Sequence, residues 1–342
     1  MANRTQQQAA GISLRRTKAE DMEAVVALDA TIVDRPRQFY FQRRLKAALD
    51  QTDLHVQFSA EQDGRIVGFI KARKLQGEFG HAEPALRLES IAVAPGEQGQ
   101  GVGRALLARL EGEAKRMGVA AIRTSASWRE HAIMQFFDRA GFEFAHNLVL
   151  DCPTKLNRVT AHESDRTLAP AHVTGFSATE VDYSAVVAND FEALAQDKFG
   201  VRALEADDFA DIVRIDQRVS GHRREGYIRE LFDEAMNDSA VRVSLLACVD
   251  GIAAGFVMAR TDFGDYGRAQ PVAVLDTIGV DPDYAHRGVG HALLSQLFVN
   301  LAALRVEHVE TVVTREDFGL LGFFYDAGFG QSQRLSFDKR VA

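Results

Sequence analysis

Two cysteines, Cys152 and Cys248, are all that this chain of 342 residues carries. They are too few and too far apart for a disulfide framework or a CxxC metal site, so two reduced thiols are expected. No apolar run approaches the roughly 18 residues that suggest a membrane span, and no membrane partner is expected. The segment Met1 to Ala10 is polar and lacks the apolar core of a signal peptide. A cytoplasmic location is the resulting expectation. A surplus of positive charge is missing too. The formal net charge is −8, whereas nucleic-acid binding usually needs a basic face. What remains, 46% hydrophobic and 26% charged residues, is the composition of a soluble globular protein.

What the chain does have is a pattern written twice. Ile91-Ala92-Val93-Ala94-Pro95 runs into Gln98-Gly99-Gln100-Gly101-Val102-Gly103-Arg104, then Ala105-Leu106-Leu107. Later, Ile278-Gly279-Val280-Asp281-Pro282 runs into Ala285-His286-Arg287-Gly288-Val289-Gly290-His291, then Ala292-Leu293-Leu294. The offset is 187, the difference between positions 288 and 101. It also relates Arg15 to Arg202, Asp21 to Asp208, Asp63-Gly64 to Asp250-Gly251 and Gly141-Phe142 to Gly328-Phe329. A period this long means a duplicated domain rather than a solenoid.

Each copy reads as an α/β (α+β) unit. In the first, Ile12 to Arg16 is a strand and Asp21 opens an amphipathic helix. A second helix spans Arg37 to Leu49. Two strands meet at Asp63-Gly64, a dipeptide suited to a tight hairpin. Leu86 to Val93 is a strand. From Val102 the hydrophobic period changes from 2 to 3.6, with Leu106, Leu107, Leu110, Ala114 and Met117 on one helical face. A strand over 120–125, a helix over 131–140 and a closing strand over 142–150 complete the copy. The expected domains are 1–150 and 199–342. The connector, 151–198, is expected to contain a helix carrying Tyr183, Val186, Val187, Phe191 and Leu194, since so long a structureless loop would be unusual.

A strand that enters a glycine loop and then a helix gathers several backbone N–H groups around one point. The first turn of a helix leaves such donors unpaired, and its dipole favours negative charge. A pyrophosphate is a natural occupant; close packing of helix on sheet is the alternative reading of any single such loop. The Walker pattern fails for want of Gly-Lys-Ser/Thr. The dinucleotide fingerprint fails because Leu106 and Leu293 stand where the third glycine belongs.

These residues, in this element order, resemble the GNAT superfamily of acyl-CoA-dependent N-acyltransferases, over both halves. The resemblance implies two tandem domains, each a mixed, mostly antiparallel sheet flanked by helices and splayed beside the glycine loop. It implies that Gln98 through Arg104 hold the diphosphate of acetyl-CoA. It implies the same of His286, Arg287, Gly288, Val289, Gly290 and His291, although Ala285 replaces the family's Gln or Arg. The backbones of Ile91, Ala92, Val93 and of Ile278, Gly279, Val280 would then pair with the pantetheine arm. His286 and His291 have no evident third ligand, so no metal is expected.

An amine must lose its proton before it can attack a thioester, so a base is needed. Glu89 lies just ahead of Ile91, and strict alternation would put it on one face with Ile91 and Val93. Asp276 is its equivalent. Each is read as a general base, as a carboxylate paired with an arginine such as Arg87, or as one simply solvated. The family's general-acid tyrosine is replaced by Phe137 and Phe324. Tyr325, one position late, is either an acid that still reaches the sulfur or a core or surface residue. Arg35, Arg37, Arg43 and Arg44 are expected to form a solvated face near the acceptor groove, and Trp128 to wall a groove or cap the core.

The function this implies is transfer of an acetyl group from acetyl-CoA to a primary amine, on a small molecule or a protein, by direct attack with a carboxylate base. The competing readings are a non-catalytic acyl-CoA sensor or scaffold, and one catalytic domain fused to a degenerate partner-binding one.

Overall fold

The structure, a computed structural model, describes residues 11–33, 37–77, 83–154, 199–237, 243–262 and 272–341. The expected connector helix and Arg35 lie outside them. The first half contributes β1 (Ser13–Arg16), α1 (Met22–Val33), α2 (Gln38–Asp50), β2 (His55–Gln62), β3 (Arg65–Leu75) and β4 (Ala85–Val93). It continues with α3 (Val102–Arg116), β5 (Ala121–Ser127), α4 (His131–Arg139), β6 (Glu143–Phe144) and β7 (Asn147–Pro153). The second half repeats the order as β8 (Gly200–Ala203), α5 (Phe209–Ser220), α6 (Glu225–Asn237), β9 (Leu245–Val249), β10 (Ile252–Asp262) and β11 (Val272–Val280). Then come α7 (Val289–Ala303), β12 (His308–Thr314), α8 (Phe318–Asp326), β13 (Gly330–Gln331) and β14 (Arg334–Arg340).

Local chemistry accounts for the joints. Asp63 and Gly64 both take positive φ, 50° and 74°, as do Asp250 and Gly251 at 50° and 79°, which is what a two-residue hairpin turn with the right twist requires. Leu106, Leu107, Leu110 and Ala114 are buried along one side of α3, as the period of 3.6 demands. At each N-terminus an arginine chelates the aspartate that starts the first helix: Arg15 holds Asp21 at 2.6 and 2.7 Å, and Arg202 holds Asp208 at 2.7 Å twice.

The sheets depart from the expectation that 142–150 closes the first half. The strand breaks at Ala145-His146. β6 stays on the first sheet, while β7 crosses into the second and pairs antiparallel with β12, from Asn147 opposite Thr314 to Pro153 opposite His308. β14 makes the reciprocal crossing and pairs with β5, from Arg334 opposite Ser127 to Arg340 opposite Ala121. The resulting seven-stranded orders are β1-β2-β3-β4-β5-β14-β6 and β13-β7-β12-β11-β10-β9-β8. Each hydrophobic core therefore contains side chains from the other half's last strand. Phe337 enters the first core, and Leu150 with Cys152 the second.

β4 and β5 run parallel, and so do β11 and β12. Both pairs come apart. β4 is paired to β5 only at Leu86–Ile122 and Arg87–Arg123, although it continues to Val93. β11 leaves β12 after Leu275–Thr311 and continues to Val280. At each parting a threonine hydroxyl donates to the facing carbonyl at 3.0 Å, Thr124 to Leu88 and Thr311 to Leu275.

Candidate active site

The first parting of strands opens a cleft. One wall is Leu88 to Ala92 of β4 and the other Thr124 to Ala126 of β5; Ile133 and Phe137 of α4 and the Asp29–Arg37 pair also line it. The second half supplies part of this wall's support. Arg334, at the start of β14, donates to the carbonyl of Ser125 at 2.8 Å and to its hydroxyl at 3.1 Å.

At the end of β4 the glycine loop turns into α3. Gly101 is the N-cap residue, with φ of 88°, and no side chain caps the helix. The first-turn N–H groups are therefore free of intrahelical or capping partners. A Cβ on Gly101 would meet nothing within 4 Å, whereas one on Gly103 would press on Phe136 at 3.2 Å and Val93 at 3.6 Å. One glycine thus shapes an open cradle and the other lets α3 sit close to α4. Gln98 donates to Val93 O and Gln100 to Gly96 O, both at 3.1 Å, so the two glutamines brace the loop from within. Arg104 is exposed and Val102 buried.

The second loop copies this shape with less room. Gly288 caps α7 at φ 93°, again without a side-chain cap. Phe199 lies 3.7 Å from where its Cβ would be. His286, standing where the first loop has Gly99, is forced to φ 60°, a region costing an L residue roughly 1–2 kcal/mol. Arg287 stacks over Tyr284, Val289 is buried and His291 lies edge-on to Phe323 at 5.2 Å.

Glu89 is fully buried, and it is the residue where the β3–β4 register slips: Lys71 faces Ser90 but Ala72 faces Leu88. This bulge corrects the expected alternation. Ile91 and Val93 pack on the core under α3, while Glu89 faces α2 and a cluster of cations. Lys71 Nζ stands 3.0 Å from its carboxylate, and Arg44 and Arg73 each at 3.8 Å. Lys71 also bonds the hydroxyl of Tyr40 at 2.7 Å. Ionisable side chains buried together are tolerated only when they are paired. Nearby His55 is pushed down to about 4, chiefly by burial.

Asp276 sits at the equivalent bulge, between Leu275 and Thr277. Met258 and Leu231 replace Lys71 and Arg44 there, and Arg260 donates to the carboxylate at 3.0 Å. Burial pushes the Asp276 carboxyl above its ordinary range, with Arg260 and Arg87 opposing. Tyr227 donates to the Asp276 carbonyl at 2.8 Å. Asp276 lies at the junction of the halves, in a cavity shared with Arg73, Leu75, Gly77 and Arg87.

One sequence expectation is corrected here, and Tyr325 takes the surface place that was one of its readings. Tyr325 is 76% exposed; one residue on from the buried Phe324, its side chain is turned about 100° around the helix and points to solvent rather than to β11. Arg37 and Arg44 are buried, not solvated: Arg37 chelates Asp29 at 2.5 and 2.7 Å. Trp128 is half-exposed, its backbone N–H held by Gln333 at 3.0 Å. Sequence reasoning passed over Asp29, Arg37, Tyr40, Arg73 and Thr124 as a set. The signal was available, because Asp216, Arg224, Tyr227, Arg260 and Thr311 repeat them at the same offset of 187. Among the described residues no group of three or more His, Cys, Asp or Glu could hold a metal, and no helix is long and apolar enough to cross a membrane.

Comparison with known proteins agrees with this geometry. The acetyltransferase (GNAT) family profile matches residues 22–142 and again 206–329. A mycothiol acetyltransferase of Rhodococcus jostii is 31% identical over 108 residues, 31% of this chain and 34% of that protein. The chain thus matches about a third of the length of that relative. An aminoalkylphosphonate N-acetyltransferase of Salmonella typhimurium is 27% identical over 39% of this chain and 86% of its own. Among solved structures, a tandem GNAT protein from the clavulanic acid biosynthesis pathway superposes with a TM-score of 0.62 at 15% identity, covering 97% of this chain and 99% of that one. A GCN5-related N-acetyltransferase from Sphaerobacter thermophilus gives 0.57, also at 15% identity, covering 97% and 96%. The doubled profile, the paired sheets that part beside uncapped glycine loops and the full-length tandem neighbour agree: the chain belongs to the acetyltransferase (GNAT) family and carries its domain twice.

Proposed function

We propose that this protein is an N-acetyltransferase that moves the acetyl group of acetyl-CoA to a primary amine, with the chemistry in the first half. The observation that carries this reading is the cleft between β4 and β5, which has a buried carboxylate, Glu89, on one wall and the open Gly101 cradle at its end. The backbone N–H groups of Gly101 to Arg104 would hold the diphosphate, as helix N-termini do. The freed edge of β4, Ile91 to Val93, would take the pantetheine amides. Glu89 would accept the proton of the incoming ammonium, directly or through water. The amine nitrogen then bonds to the acetyl carbon, the carbon–sulfur bond breaks, and the second proton of the nitrogen passes through water to the leaving thiolate. With Phe137 buried where the family carries a tyrosine, no side-chain acid is assigned to that last step.

In the second half, His286 in a left-handed conformation, Phe199 under Gly288 and the Arg260–Asp276 pair favour a retained fold with a weaker site. The location that suits this activity is the cytoplasm, where acetyl-CoA and reduced thiols such as Cys152 and Cys248 coexist. A second reading, an acyl-CoA sensor without turnover, draws on the cations crowding Glu89.

The test is amine-dependent thiol release from acetyl-CoA across polyamines, amino acids, aminoalkylphosphonates, amino sugars and peptides. Turnover with one amine class, lost in Glu89→Gln, supports the enzyme. Binding of acetyl-CoA without thiol release from any amine supports the sensor.

A further inference from the structure

Three carboxylates line the cleft of the first half, those of Asp29, Glu89 and Glu130. Two are matched by buried cations: Arg37 chelates Asp29, and Lys71, Arg44 and Arg73 surround Glu89. Glu130 has no cationic partner among the described residues, and it is exposed, so it stands at the cleft mouth. It is the N-cap residue of α4, yet its side chain does not cap the helix. One carboxylate oxygen instead accepts from the backbone N–H of Ser127, at the end of β5, at 2.9 Å. Asp317, its equivalent in the second half, does cap its own helix, accepting from Leu320 N–H at 2.9 Å. Below Glu130 the wall turns apolar. Ile133 and Phe137 follow three and seven residues on, the spacing of one helical face, and both line the cleft together with Ile32 of α1. The stripe runs from the exposed carboxylate to the buried Phe137, about 10 Å along the helix axis.

We infer that Glu130 sets acceptor specificity by holding a second ammonium group, so that the acceptor is an aliphatic diamine or polyamine. The inference rests on the reading of this cleft as the site of acetyl transfer, and on no particular state of Glu89. The wall fits such a molecule part by part. One amine enters between the parted strands, the methylene chain lies along Ile32, Ile133 and Phe137, and the far ammonium meets the carboxylate at the mouth. Apolar contact with the chain and a charge-assisted bond at its end select for length and charge together. Because the carboxylate is exposed, water and salt screen the attraction, and Glu130 discriminates among amines rather than binding them tightly. An acceptor that carries a carboxylate or phosphonate in place of the second ammonium meets like charge at the mouth and is disfavoured. The two halves differ at this position, since Asp317 is one methylene shorter and tied to its own helix.

The experiment measures thiol release by the full-length protein at saturating acetyl-CoA. The acceptors are putrescine, cadaverine and spermidine, the monoamines butylamine and pentylamine, and aminoethylphosphonate. Wild type is compared with Glu130→Gln and Glu130→Lys, with circular dichroism and acetyl-CoA binding as checks that each variant is folded. The wild type is expected to favour the polycations over the matched monoamines by about tenfold or more in kcat/KM, the scale of a hydrogen bond between charged groups. Glu130→Gln can keep the bond to Ser127 but not the charge. It should raise KM for the polycations about tenfold, with their kcat and the monoamine KM moving far less. Glu130→Lys should raise the polycation KM further and lower that of aminoethylphosphonate. A role confined to the turn before α4 would move every acceptor alike. Equal kcat/KM for polycations and matched monoamines, or a polycation KM unmoved in Glu130→Gln, overturns this inference and leaves the transferase reading intact. Thiol release with none of the amines, here or in the wider screen, overturns the transferase reading and this inference with it.

Discussion

Phe337, on β14 of the second half, packs its ring against Phe137 of the first half, 5.5 Å between centroids. Phe142 and Phe144 complete the cluster, at 5.0 Å from Phe137 and 5.2 Å from Phe337. The contact exists because β7 and β14 are exchanged, and it makes each core depend on both halves. Phe337→Ala should therefore destabilise the first half by about 3–5 kcal/mol, the range for a buried Phe. Trp128, the single tryptophan, is tied to Gln333 beside β14, so its fluorescence in a urea titration reports the effect. An unmoved Trp128 midpoint would mean that β14 is not seated where the structure puts it.

Burial depresses His55 to about 4, against the ordinary 6.5. The folded state keeps this imidazole neutral while the unfolded chain binds a proton below pH 6.5, so stability falls as pH drops from 6.5 toward 4. The loss attributable to His55 is about 3 kcal/mol by pH 4, taking each pH unit at its usual free-energy equivalent. Denaturant titrations at pH 7.5 and 4.5 on wild type and His55→Phe should show a smaller pH effect in the variant. Equal slopes would place the acid sensitivity elsewhere.

Replacing a general base typically costs 10²–10⁴ in rate, so Glu89→Gln should lower kcat by about that much while leaving acetyl-CoA affinity within about twofold. Asp276→Asn should lower kcat far less. Steady-state kinetics with saturating acetyl-CoA distinguish the two, and the reverse order would move the chemistry to the second half.

Tyr325→Phe should leave kcat within about twofold, since the hydroxyl sits in solvent. A loss of a hundredfold or more would restore Tyr325 to the site and require α8 to shift on binding.

The duplication, both hairpins and both strand–loop–helix units were legible because each depends on local rules: glycine at positive φ, a change of period, a constant offset. The partners of β7 and β14 were not legible. An antiparallel strand beside β5 pairs equally well whether it comes from its own half or the other, and only the break at Ala145-His146 lets the chain cross. The face of Glu89 was misread for a related reason, since one bulge residue reverses the alternation from which faces are inferred. Lys71 was hidden because a lysine in a strand ordinarily faces water. Its burial depends on Tyr40 and Glu89, which lie 31 and 18 positions away along the chain.

Calorimetric titration of acetyl-CoA into wild type, Gly101→Glu and Gly288→Glu bears on the whole account. A Cβ at position 101 meets nothing within 4 Å, but φ of 88° strains any L residue there, as 93° does at position 288, so circular dichroism and denaturant titration verify that both variants are folded. The account expects the Gly101→Glu protein to lose its tightest binding event together with amine acetylation, while Gly288→Glu retains both. Undiminished affinity and stoichiometry in Gly101→Glu would mean that the helix start after β4 grips no diphosphate, and the proposed chemistry would have no donor to act on.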